Sequence, residues 1–288
     1  MIFMMNGTTS LVSAEGRTVG DILAILDERA EAMGEIIVEV AVNGVALSPD
    51  ELAEASNLAA SGEGTVALVS EPAADLKARG LESLIELVQA AAQAMVSGDS
   101  EAADSARKAW ESYRTSFGGL FSAEEASFMD AFGERLAPGN SGAALGPLAD
   151  NLAAFFSERL AELRNPGEAM MAAARLFDAI KEDLSEVPVR LQTGKDAEAM
   201  RTMVLAVELI NKTVRIMPEF VRASSSVPLD IGGTAMPEFY SALNGVLREL
   251  AQAFENKDGV LIGDLAEYEI RPRLESFYSA IRAAAGTL

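Results

Sequence analysis

Residues 35–52 read Glu-Ile-Ile-Val-Glu-Val-Ala-Val-Asn-Gly-Val-Ala-Leu-Ser-Pro-Asp-Glu-Leu. The run Glu35–Val42 alternates in part and is rich in Ile and Val, which predicts a strand with one buried face. Asn43-Gly44 tolerates the left-handed backbone of a tight hairpin and turns the chain into Val45–Leu47. Ser48-Pro49 then opens a short helix, with Ser as the cap and Pro at the first helical position, where no backbone N–H is missed.

Working outward, Asn6-Gly7 separates Ile2–Met5 from Thr9–Ser13, a second hairpin signal. Between the hairpins, Thr18 with Asp21 three residues on makes a capping box with Asp in place of Glu. Val19, Ile22, Leu23, Leu26 and Met33 then recur at helical spacing. Downstream, Gly62 and Gly64 end the short helix and Thr65–Val69 supplies the last strand. The order is strand, strand, helix, strand, strand, short helix, strand. It matches the β-grasp (ubiquitin-like) arrangement, in which one helix packs across a small mixed sheet. Residues 1–71 therefore read as a β-grasp domain, too small for a generous core and expected to lean on its neighbour.

Past Pro72 the strand signal stops. Residues 72–288 read as an all-helical bundle domain of about eight helices, and the fold class as α+β. Met200, Met203, Val207, Ile210, Val214 and Met217 step by threes and fours along one predicted core face. A second stripe runs Leu261, Leu265, Tyr268, Leu274, Phe277, Tyr278 and Ile281, with Pro272 inside it, expected to kink or break the helix near Glu269. Helical hairpins are expected at Ser97-Gly98-Asp99, Thr193-Gly194-Lys195-Asp196 and Asn256-Lys257-Asp258, where Gly or Asn ends a helix and Asp caps the next. Ala137–Pro147 and Ser224–Pro237 read as loops, the second the longest and the expected mobile segment.

Composition narrows the chemistry. The 288 residues include no His and no Cys. Ser–His–Asp and Cys–His catalysis, the usual zinc sites and Glu-x-x-His di-iron sites are therefore excluded. No phosphate-binding glycine motif and no calcium loop occurs. No cofactor is implied, and the chain is read as not an enzyme. Carboxylate chemistry is the remaining route: Asp264 and Glu267 share a helix face and need a third carboxylate to hold Mg²⁺, while Glu267 also has Arg271 at i+4 as an ordinary partner. The net charge is −21. Residues 1–71 carry twelve acids against Arg17 and Arg29, net −10, and the remainder carries −11. Such a surface repels nucleic acid and anionic membranes and attracts basic protein. No stretch is apolar enough to span a bilayer, and Met1–Met5 lacks the basic flank of a signal peptide. The expected compartment is the cytoplasm.

Four side chains are candidate interaction residues: Trp110, Tyr113, Met200 and Met203. Trp110, Tyr113 and Phe117 share one helix face, either as a core or as an exposed aromatic anchor. Methionines adapt to irregular gaps and suit a groove for partner helices as well as a core.

Three short runs carry a resemblance. They are Ile36–Leu47 with Ser48-Pro49-Asp50-Glu51-Leu52, Leu191-Gln192-Thr193-Gly194-Lys195-Asp196 with Ala199-Met200, and Asp264-Leu265-Ala266-Glu267-Tyr268-Glu269 with Pro272-Arg273-Leu274. On these the chain resembles uncharacterised bacterial proteins that pair an N-terminal ubiquitin-like domain with a C-terminal helical domain of unknown function. The resemblance implies a fold and no activity. Ubiquitin-like carriers end in Gly-Gly, whereas Val69-Ser70-Glu71-Pro72 runs on into a helix, so a carrier or conjugation role is excluded. The hairpin over 81–117 is loosely similar to flagellar export chaperones. The leading expectation is a non-catalytic protein-interaction or scaffold module with a basic or helical protein partner. The alternatives are a chaperone-like binder of a helical export client and a carboxylate-dependent metalloenzyme. Partner identity and oligomeric state are left open.

Overall fold

The computed structural model describes residues 1–118, 121–137, 145–224 and 230–285. It is α+β, with a five-stranded mixed sheet at the N-terminal end followed by helices. The sheet comprises β1 (Ile2–Met5), β2 (Thr8–Thr9), β3 (Glu35–Val42), β4 (Val45–Ala46) and β5 (Thr65–Pro72), in the order β2-β1-β5-β3-β4. β1 runs parallel to the central β5, and β3 antiparallel to it. The two Asn-Gly turns form as expected, with Asn6, Gly7, Asn43 and Gly44 all at positive φ. β2 and β4 are each two residues long, shorter than the expected Thr9–Ser13 and Val45–Leu47, because apolar composition forms no ladder where no backbone lies opposite.

Helix α1 (Val19–Ala32) buries Val19, Ile22, Leu26 and Ala30, the first three in one core with Phe3, Val66 and Leu68 of the sheet. Its capping box is formed: the Asp21 N–H donates to Thr18 Oγ1 and the Thr18 N–H donates back to the Asp21 carboxylate at 2.8 Å. Helix α2 (Pro49–Ala55) repeats the device with Ser48 and Glu51. Met33, expected on the buried stripe, caps α1 and is exposed.

β5 passes without a break into α3 (Ala73–Ser97), whose first N–H bonds Gly34 O. The secondary structure therefore changes at Pro72, as expected. The compact units, however, are Met1–Leu160 and Ala161–Leu288. The first unit adds to the sheet α3, α4 (Ser100–Phe117), α5 (Ala123–Leu136) and most of α6 (Leu145–Arg164). The second holds α7 (Pro166–Gln192), α8 (Asp196–Ala223), α9 (Met236–Asn256), α10 (Gly259–Asp264) and α11 (Arg271–Ala285). It also holds β6 (Asp230–Ile231) and β7 (Thr234–Ala235), a two-stranded hairpin in a region expected to lack strands. Of the two expected loops, residues 138–144 and 225–229 lie outside the described residues; of the described remainder, residues 145–147 and 236–237 are helical and 230–235 form a hairpin.

The hairpin junctions differ in detail from expectation. Gly98 is left-handed and Asp99 caps α4, as read. At the second, Gly194 has positive φ but Lys195, not Asp196, holds the cap position. At the third, Lys257 and not Asn256 adopts the left-handed conformation, and Asp258 caps α10.

The α-helical pattern is interrupted around Glu269, where Pro272 is expected to disturb it. α10 and α11 are joined by a π-helical segment, Leu265–Ile270, in which the Arg271 N–H reaches back five residues to Ala266 O. Proline lacks an N–H and its ring collides with the carbonyl four residues earlier, and the wider turn relieves both problems. Gly263 lets α10 lie against Pro188 of α7, where a Cβ would sit 2.9 Å from the Pro188 Cα. The core of this unit is closed by Phe177, Phe277 and Tyr278, whose hydroxyl meets Thr213 Oγ1 at 2.6 Å.

Candidate interaction groove on the sheet edge

β3 is eight residues long, yet on the side away from β5 only Ala41 and Val42 pair with β4, and the Leu47 N–H adds one bond to Val40 O. Over Glu35–Glu39 no strand of the described residues lies on that side. The pairing with β5 also shifts register between Ile37 and Glu39, and this bulge leaves Val38 exposed. A strand edge of this kind presents unpaired backbone N–H and C=O groups.

The open edge forms one wall of a groove of about 590 Å³. Ile37, Val38 and Val40 supply its strand side, Leu23 and Ala24 of α1 the opposite wall, and Leu47, Pro49 and Leu52 the end near α2. Asp27 and Glu39 also line it, and no basic residue does. The walls are tied together. The Gly20 N–H donates to Ser56 O at 2.9 Å, the Val19 N–H to Leu58 O at 2.8 Å, and the Ala60 N–H to Arg17 O. A side chain at position 20 would press a Cβ to 3.1 Å from Ser56 O, so glycine lets the end of α2 dock on the start of α1.

Near the groove, both capping carboxylates are stabilised as anions. The backbone N–H of Thr18, then its hydroxyl, hold Asp21 below the ordinary carboxylate value; Ser48 does the same for Glu51.

The side chains singled out from sequence lie elsewhere. Trp110 and Tyr113 are buried in the first unit, Trp110 with its ring 5.0 Å from Phe132 and Tyr113 with its hydroxyl on Gly80 O at 2.7 Å. Gly133 makes room for the indole, whose Nε1 would be 2.7 Å from a Cβ there. Met203 is buried in the second unit, and of the four only Met200 faces solvent. The anchor reading of Trp110 and Tyr113 is corrected: the shared face they define points into the α3–α5 core. Trp110 and Met203 are both enclosed, so neither side chain is presented to a client helix.

Asp264 and Glu267 gain no third carboxylate, since among the described residues no three acidic side chains gather within reach of one cation. Arg271 bonds Ser185 at 2.7 Å and lies 3.6 Å from Glu182 rather than pairing with Glu267; Arg273 pairs with Glu269.

One buried charge site stands out in the first unit. Glu125, on α5, takes hydrogen bonds from Lys77 Nζ at 2.7 Å and from the Ser122 N–H, with Arg159 at 3.7 Å. Burial opposes its ionisation, but Lys77 and Ser122 outweigh that and hold the carboxyl below its ordinary value.

Comparison with known proteins locates one part of the chain. Residues 168–280 match a domain of unknown function (DUF8042). The matched segment runs from the first turn of α7 into α11 and includes none of the groove. No curated protein and no solved structure matches the chain. Among the described residues no helix is long and apolar enough to cross a membrane.

Proposed function

We propose that the chain is a protein-interaction module whose first unit captures an extended, basic and apolar segment of a partner protein. The segment adds to the sheet alongside β3. The open edge over Glu35–Glu39, lying beside an apolar groove with an acidic rim, carries this reading. In strand addition the backbone edge supplies hydrogen bonds and pockets for alternate side chains supply selectivity. Here the apolar floor between Leu23 and Val40 suits every second side chain of the guest, and Asp27 and Glu39 suit Lys or Arg between them. The surrounding charge acts in the same direction, since residues 1–71 hold twelve acids and two bases.

A capped peptide of alternating Val and Lys tests the reading. Titrated into the full chain at low salt, it is expected to bind saturably and to slow amide exchange over Glu35–Val40. The affinity is expected to fall steeply with added salt, because rim charges are screened within about 10 Å at 0.1 M. A scrambled peptide with proline at every third position is expected not to bind. Equal binding of both peptides, or exchange protection that leaves 35–40 untouched, would reject strand addition at β3.

A further inference from the structure

Helix α8 carries two heptad stripes where its core needs one. The inner stripe, with Met203, Ile210 and Met217, is buried. Beside it a second stripe starts at Met200 and steps by four and three to Val204, Val207, Asn211 and Val214, ending on Pro218 and Val221. No charge interrupts it over 22 residues. Met200 is 37 % exposed, Val204 52 %, Val214 48 % and Val221 48 %, while Asn211 and Pro218 are also exposed and only Val207 is half-buried. An apolar heptad stripe of this length is one half of a helix-pairing seam.

We infer that a second copy of this chain covers it, so that two α8 helices pair about a two-fold axis. Three observations select the copy over a foreign partner. Asn211 sits at the middle of the stripe, where a two-fold axis places it beside its own mate. A carboxamide carries donors and an acceptor and so pairs with itself, and a lone polar residue in an apolar seam fixes register. The charge is permissive there: α8 holds four acids and four bases in a chain of net charge −21. Two acidic copies meet little repulsion across a neutral helix, whereas a basic partner is drawn to the acidic first unit. The pattern is also self-complementary, as an isologous contact requires. Its area sets the strength. The 22-residue stripe from Met200 to Val221 is about 33 Å long, and a face about 10 Å wide covers about 330 Å² per copy. The resulting total of about 660 Å² is below the roughly 1,200 Å² of permanent specific interfaces, so the pairing is concentration-dependent.

Sedimentation of the full chain through the micromolar range tests this. The wild type is expected to move from the 30.4 kDa chain mass towards twice that mass. Val204→Glu with Val214→Glu, both at half-exposed positions, is expected to remain monomeric with an unchanged circular dichroism spectrum. Because the protein has no cysteine, Asn211→Cys treated with a copper–phenanthroline oxidant is expected to give a covalent dimer, and Gln252→Cys, on α9, is not. A wild type that stays monomeric throughout, a dimer that survives the double substitution, or equal cross-linking at 211 and 252 would each overturn the inference.

Discussion

The two units leave different things uncovered. In the first, 25 acids face 9 bases, and the uncovered feature is main chain: a strand edge short of its neighbour. In the second, 19 acids face 14 bases, and the uncovered feature is a row of side chains along a helix. A bare strand edge recruits by hydrogen bonds of fixed direction and accepts many sequences, with charge deciding among them. A bare helix stripe recruits by shape alone and accepts only a matching stripe. One chain thus presents a tolerant surface and an exclusive one.

The contrast depends first on which side chains are core. Trp110→Ala is expected to cost about 3–5 kcal/mol of stability in urea unfolding, because a fully enclosed ring is lost. Met200→Ala, on the exposed stripe, is expected to change it by less than about 0.5 kcal/mol. Comparable values at the two positions would erase the distinction between core and stripe. Next in size, Glu125→Ala removes the carboxylate that satisfies Lys77 inside the first unit, and about 3 kcal/mol of destabilisation is expected. Glu125→Gln should lose less, since it keeps an acceptor for the Ser122 N–H.

Asp27→Lys with Glu39→Lys reverses the groove rim. The alternating Val–Lys peptide is expected to bind about tenfold more weakly, about 1.4 kcal/mol, by calorimetry at low salt, with self-association through α8 unchanged. Loss of both activities together would show that the surfaces are not separate. The smallest effect concerns acid. Asp21 and Glu51 have folded values below their unfolded ones, so their contribution to stability is complete above about pH 4 and is lost as the pH falls through the folded values. Asp21→Asn with Glu51→Gln is expected to lower the melting temperature slightly at pH 7, where both carboxylates contribute, and to leave the low-pH value nearly unchanged, so that the acid limb flattens.

Local chemistry made much of the fold legible. Asn6-Gly7, Asn43-Gly44 and the two capping boxes each depend on residues a few positions apart, so the sequence contains the whole cause. Spacing marked the shared face of Trp110 and Tyr113 but could not say whether it looks inward, since that depends on the distant Phe132 and Gly80. The same limit put Val214 and Met200 on a predicted core stripe one step away from the buried one. The groove escaped notice because it consists of missing pairing, a tertiary property. Its signal was present nonetheless: Val45–Leu47, stopped by Ser48-Pro49, is too short to cover the eight residues of β3. The π-helical segment also left a trace. Ile262, Ala266, Ile270 and Leu274 are all buried in successive steps of four, and three such steps outrun a 3.6-residue turn by more than one residue.

That surplus gives the C-terminal rod an unusual tolerance. Losing a single residue from a helix ordinarily rotates everything beyond it by about 100° and tears one face from its packing. Between Leu265 and Ile270 the chain already carries one residue more than an α-helix would hold. Deleting Glu267 together with Pro272→Ala is therefore expected to leave a regular helix with Phe277 and Ile281 still facing inward, and a cooperative melt close to that of the intact protein. The deletion with Pro272 kept should unfold far more easily, which would identify the proline as the reason the extra residue is retained.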